Sequence, residues 1–187
     1  MDHIEKKFNI LVNRRSDINE HLPTLYRYAR ECESIIELGV RGVVSSYAFI
    51  FGLLMNNSEK KQILLNDINQ CNIDELLDDV KHLKIDVKYQ WINDLHLDIE
   101  ENVDLTFIDT WHIYGQLKRE LEKFSKVTNK YIIMHDTTVD EWKGETIRRR
   151  WNAQKQSQMT GIPINEINLG IWPAIQEFLD KNNDWKL

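Results

Sequence analysis

The chain of 187 residues is poor in cysteine: Cys32 and Cys71 stand alone, with no CxxC and no zinc-type spacing. A disulfide framework and a structural zinc finger are thereby excluded, and two sparse thiols suit a reducing compartment. The N-terminal MDHIEKKFNILVNRR has charges on both sides of a short apolar stretch and no small-residue cleavage site, so it does not read as a signal peptide. No window approaches the ~18 to 20 apolar residues that span a bilayer. The expected location is cytoplasmic, with no membrane partner. A basic excess is also missing, since the formal net charge is −6. Chains that hold nucleic acid by its phosphates carry a basic footprint, so a nucleic acid is not the expected partner. Internal repeats and low-complexity tracts are absent too.

The chain does have a globular balance, with 42% hydrophobic and 29% charged residues. This length can bury a core as one domain of 1–187. Residues 1–33 alternate apolar and charged positions at helical spacing, with Pro23 suited to a first helical turn, and read as covering helices. The core, 34–137, alternates apolar strand-like runs with helical ones. SIIELGV at 34–40 leads through a glycine turn into RGVVSSYAFIFGLLM. QILLND at 62–67 is followed by an amphipathic helix over 72–83 with Asn72 as its N-cap. DVKYQWI spans 86–92, VDLTFID 103–109, and YIIM 131–134, the last two separated by the helical run GQLKRELEKFSKV. Five such strands predict an α/β fold, a mainly parallel sheet flanked by helices with right-handed crossovers. Residues 138–187 have a looser pattern: one short basic helical piece, turn-rich sequence suited to a lid, and a last amphipathic helix over 171–186.

Four strands run into an acid: Asp67, Asp94, Asp109 and Asp136. In open α/β sheets the carboxyl ends of strands line the ligand crevice. The turn Glu37-Leu-Gly39-Val-Arg41-Gly42-Val-Val-Ser45 can bring backbone and a helix-start hydroxyl to an anionic group. It lacks the third glycine of GxGxxG, which weakens a nicotinamide oxidoreductase reading. Asp67, a little over twenty residues past that turn, stands where a carboxylate holds ribose hydroxyls, or else it caps the next helix. Asp109 and Asp136, with His135 or Thr137 beside the second, supply hard ligands for Mg²⁺ or a similar cation, or are paired helix caps. His112, three residues after Asp109, is placed to accept a proton from a hydroxyl bound to that cation, or else is a loop histidine with no catalytic part.

These motifs resemble the class I S-adenosylmethionine-dependent methyltransferases, over about 35–137 and more loosely to the last helix. Glu37-Leu-Gly39, Arg41, Gly42 and Ser45 look like the motif that meets the methionine part of the cofactor. Asp67-Ile-Asn69 looks like the ribose acid, and Asn93-Asp94 matches the adenine position. Asp109-Thr-Trp-His112, Tyr114 and His135-Asp136-Thr137 resemble the cation-dependent O-methyltransferases. Where catechol-type enzymes carry lysine, this chain has His112, as in the macrocin and mycinamicin sugar O-methyltransferases; the cephalosporin-hydroxylase-like group is also similar.

The resemblance implies S-adenosylmethionine and a divalent cation, Mg²⁺ foremost, held by Asp109, His135 and Asp136. His112 is the implied base, and Tyr114 and Trp172 are the implied substrate contacts. The implied acceptor is a hydroxylated small molecule, a sugar or nucleotide-sugar ahead of a catechol. Two departures stand out. Val43 replaces a common glycine, and the family's C-terminal β-hairpin has no counterpart, which predicts a homo-oligomer or a longer polypeptide covering the last strand. These departures also motivate the alternative of a non-catalytic cofactor-binding or assembly domain.

Overall fold

The computed structural model describes residues 1–187 as two compact units, 1–108 with 127–133, and 109–126 with 134–187. The first unit holds the sheet. Its strands are β1 (Ser34–Leu38), β2 (Gln62–Asp67), β3 (Asp86–Trp91), β4 (Val103–Ile108) and β5 (Thr128–Met134), in the order β3-β2-β1-β4-β5. β1 is parallel to β2 and to β4, and β2 to β3. The order reverses direction at β1 and β4, the topological switch point at which open α/β sheets bind ligands. β1 is buried at every position, Glu37 included, and β4 at all but Asp104, as central strands covered on both faces require. β3 alternates exposed and half-buried residues, as an edge strand should.

Helices α1 (Asp2–Asn13), α2 (Leu22–Ala29), α3 (Val44–Met55) and α4 (Asp74–Val80) complete this unit. Pro23 sits in the first turn of α2, where its missing N–H costs nothing. α3 is buried from Ser45 to Leu53, so its sequence is apolar all round rather than striped. Phe49 of α3 packs on Phe107 of β4 with ring centroids 5.2 Å apart, at the centre of the core. α4 is shorter than the expected 72–83: Asn72 Oδ1 accepts from the Asp74 N–H at 3.0 Å, an Asx turn that holds the chain outside the helix for two more residues.

The second unit holds α5 (Tyr114–Phe124), α6 (Glu145–Arg148), α7 (Ala153–Thr160), α8 (Ile164–Asn168) and α9 (Trp172–Lys181). Where the sequence suggests one helical piece and then turns, three short helices form. The Asn152 side chain caps α7 by accepting from the Lys155 N–H at 2.9 Å, and Gly161 ends it at φ 74°. α9 stops before the expected Lys186, because the Asn182-Asn183-Asp184 run favours side-chain bonds over helix; Asn182 Nδ2 donates to the Phe178 carbonyl at 2.7 Å. No helix is long and apolar enough to cross a membrane.

Candidate active site

In the first unit the turn after β1 is built by local bonds. Gly39, at φ 90°, donates its N–H to the Asn66 carbonyl at 2.8 Å, and the Arg41 N–H donates to Asp67 Oδ2 at 2.9 Å. Asp67 Oδ1 accepts from the Asn69 N–H at 2.7 Å. The acid beyond β2 thus ties the glycine turn to its own strand end. Glu37, fully buried, accepts a short hydrogen bond from the Ser45 hydroxyl at the start of α3. Arg41 and Val43 both adopt left-handed backbone, at φ 41° and 60°. A β-branched residue pays ~1–2 kcal/mol there, so replacing glycine at 43 stores strain in the turn. A Cβ on Gly42 would meet only Val44 Cγ2, at 3.8 Å, so the turn is open at that point. Asn93 Oδ1 accepts from the Leu95 N–H at 2.9 Å, and Asp94 beside it is buried. All eight residues expected to meet a cofactor therefore lie in this unit, on β1 and its turn, at the start of α3, at the end of β2, and just beyond β3.

The second unit gathers the expected chemistry more tightly. Asp109 follows β4 directly, and His135 and Asp136 follow β5. His112 Nε2 lies 3.1 Å from Asp109 Oδ1, and His135 Nδ1 lies 3.3 Å from that same oxygen and 3.4 Å from Asp136 Oδ1. On its other side, His112 Nδ1 is 3.3 Å from Asp136 Oδ2 and 3.3 Å from Asp140 Oδ2. The donors converge in two sets, Asp109 with His112 and His135, and His112 with Asp136 and Asp140. His112 belongs to both sets, and the expected trio of Asp109, His135 and Asp136 is divided between them.

Asp140 was not legible as a site residue. It is fully buried, and the Arg148 guanidinium grips it through two bonds of 2.6 Å. A Cβ on Gly170 would lie 2.3 Å from the Asp140 carbonyl oxygen, so only glycine lets that strand of backbone pass. The Glu145 N–H donates to the His112 carbonyl at 2.8 Å. Asp136 takes left-handed backbone at φ 52°, and the Asp140 N–H closes the following turn onto the Asp136 carbonyl at 3.1 Å. Two signals for Asp140 exist in the sequence: an acid four residues after a strand-end acid, and the Arg148-Arg149-Arg150 run, whose charges need partners.

The electrostatics follow from this crowding. Burial works against charge on Asp109, but hydrogen bonds from His112 and then His135 outweigh it and hold its carboxyl well below the usual range. For His112, burial likewise opposes charge, and the hydrogen bond to Asp109 prevails and raises the imidazole above its ordinary value. The expected substrate contacts are placed less simply. The Tyr114 hydroxyl donates to Glu177 and accepts from Lys118 at 2.9 Å, a surface network linking α5 to α9, while Trp172 is half-buried at the start of α9.

No family model and no curated protein matches the chain. Solved structures do resemble it. A Podospora anserina methyltransferase bound to S-adenosylhomocysteine superposes with a TM-score of 0.58 at 12% identity, over 99% of this chain and 80% of the other. A proposed caffeoyl-CoA O-methyltransferase from Staphylococcus aureus does so at 0.55 and 12% identity, over 97% of this chain and 90% of the other. With its five-stranded sheet flanked by helices, the chain has the Rossmann-like fold of the S-adenosylmethionine-dependent methyltransferases.

Proposed function

We propose that this chain is an S-adenosylmethionine-dependent O-methyltransferase that methylates a hydroxyl of a polar small molecule, a sugar or nucleotide-sugar, with the help of a divalent cation. The observation that carries the reading is the cluster of two buried imidazoles, the buried Asp140 and the half-buried Asp109 and Asp136 in segments that follow β4 and β5, within a methyltransferase fold. Buried charges persist only when paired or when they ligate a cation, and a group this dense is expensive to fold for its own sake.

The residues of the first unit fit the cofactor. The Gly39–Gly42 turn leaves room for a close backbone approach, and Asp67 retains acceptor capacity for ribose hydroxyls beyond the two N–H groups it already holds. Asn93 and Asp94 offer amide and carboxylate groups for an adenine edge. S-adenosylmethionine supplies an activated methyl group, and a cation at the cluster supplies polarisation of the acceptor oxygen. The chain's own task is to position the hydroxyl and remove its proton, since methyl transfer needs little covalent help. In the simplest arrangement His112 accepts that proton, for which one ring nitrogen must swing free of Asp109 or of Asp136 and Asp140. Trp142, exposed in the second unit, offers a flat apolar face for a sugar ring, which supports a carbohydrate acceptor.

The test is methyl transfer from labelled S-adenosylmethionine to a panel of nucleotide-sugars and catechols, with and without chelator. Label on a sugar hydroxyl, lost with chelator, is the expected result; label on no hydroxylated acceptor would remove the assignment. A non-catalytic cofactor-binding role has one observation in its favour, the strained Val43 in the glycine turn. It predicts cofactor binding with no transfer and no effect of a cation. The association expected from the sequence also stands as a proposal: β5 ends the sheet order, and a second copy covering that edge would appear as a dimer by light scattering.

A further inference from the structure

His112 is the most heavily engaged side chain of the cluster. A proton acceptor needs a nitrogen that substrate can reach, yet this residue is 8% exposed and both ring nitrogens face carboxylates. Nδ1 lies 3.3 Å from an oxygen of Asp136 and of Asp140 and makes a hydrogen bond with neither. A buried nitrogen facing two acceptors without bonding them is poorly explained as a structural pair. On the Nε2 side, Asp109 Oδ1 stands 3.1 Å from His112 and 3.3 Å from His135. Donors bound to one metal at ~2.0–2.2 Å sit ~2.9–3.5 Å apart, for octahedral through tetrahedral angles. Both distances fall in that interval.

We propose that Asp109, His112 and His135 form a two-imidazole, one-carboxylate site for a first-row transition cation such as Mn²⁺, Fe²⁺, Co²⁺ or Zn²⁺, in preference to Mg²⁺, and that Asp140 orients His112 for it. Hard Mg²⁺ favours oxygen donors and retained water, whereas imidazole suits the transition ions. A ligating histidine commonly gives its second N–H to a carboxylate that fixes its tautomer. Asp140, immobilised by Arg148, stands where that carboxylate belongs, and a small rotation of the ring would align Nδ1–H with Asp140 Oδ2. His112 is then a ligand, and a hydroxyl's proton passes to Asp136, whose side chain is the most exposed of the five. The inference rests on the methyltransferase reading only for the use made of the cation; the donor set stands by itself.

The experiment is titration of the metal-free full chain with Co²⁺, followed by its visible absorption, with Mg²⁺ as competitor and S-adenosylhomocysteine binding measured separately. One Co²⁺ per chain is expected, with imidazole-type bands that a hundredfold excess of Mg²⁺ does not displace. His112→Ala and His135→Ala should each weaken Co²⁺ at least tenfold, and Asp140→Asn about ten- to a hundredfold, the last with altered bands. Circular dichroism and S-adenosylhomocysteine affinity identify variants that still fold. Displacement by equimolar Mg²⁺, failure to bind Co²⁺, or a His112→Ala chain that keeps Co²⁺ while losing turnover would each overturn the proposal; the last restores His112 as the base. Co²⁺ binding without S-adenosylhomocysteine binding would instead sink the methyltransferase reading and leave the metal site standing.

Discussion

The two units differ in how their buried acids are held: Glu37 and Asp67 in the first by a hydroxyl and by backbone N–H groups, Asp140 in the second by the Arg148 guanidinium. The first packs Phe49, Phe107, Leu65, Ile35 and their neighbours into one continuous apolar core. The second has apolar burial of its own, Leu117, Leu121, Phe124, Ile171 and Ile175 as well as the small cluster Ile113, Ile162 and Ile167, and it also buries His112, His135, Asp140, Glu145 and Thr146. Apolar burial is non-directional and tolerates imprecision. Buried charge is stable only when each group meets its partner, so the second unit depends on specific pairs such as Asp140 with Arg148. One region specifies a fold through pattern, and the other specifies a site through geometry.

The sharpest way to break that contrast is a pair of truncations. Phe49→Ala should destabilise the chain by about 3–5 kcal/mol in denaturant melts, through lost burial and a cavity. Asp140→Ala should cost a similar ~3–5 kcal/mol by leaving Arg148 and His112 without their carboxylate, although it removes few apolar contacts. A loss below ~1 kcal/mol for Asp140→Ala would mean that the second unit does not depend on its buried pairs. The next largest effect separates the roles of the units. Asp67→Ala should weaken S-adenosylhomocysteine at least tenfold by calorimetry. His112→Ala should leave that affinity within about threefold while lowering turnover at least ~100-fold. If both variants lose affinity equally, the division of labour is wrong.

Val43 gives a smaller and more local test. At φ 60° glycine is free of the strain that any Cβ brings. Val43→Gly should therefore be more stable than Val43→Ala by about 1 kcal/mol, the reverse of the order in a helix interior. The smallest effect concerns pH. Lys181, then Tyr114, then Lys118 pull the Glu177 carboxyl down to about 2. A depressed carboxylate stabilises the fold above its unfolded value of ~4.3 and loses that contribution as pH falls from there toward 2. Glu177→Gln should flatten this part of the acid melt by less than about 1 kcal/mol, because the network is exposed.

The same contrast explains what could be read in the sequence. β2 is found at the residues its apolar run marks, Gln62–Asp67, and β1, β3 and β4 end within two residues of expectation, since strand burial leaves runs that composition reveals. β5 starts three residues earlier than its apolar part, because Thr128, Asn129 and Lys130 pair without an apolar signature. The strand-end acids and His112 were visible as types at positions. That His112 would sit in two donor sets at once was not, and neither was Asp140, which reaches the cluster only through the turn at Asp136 and the grip of Arg148. Of the three short helices of the second unit, the sequence marked one basic piece; α7 was missed because it is fixed by the Asn152 cap and by Gly161 rather than by a periodic stripe.

The central claim, that this fold carries a methyl donor, is tested most directly by calorimetric titration with S-adenosylhomocysteine beside an NAD control. Saturable binding of S-adenosylhomocysteine, weakened at least tenfold by Asp67→Ala, and no binding of NAD are expected. NAD binding in its place, or no binding of either ligand by the folded chain, would contradict it.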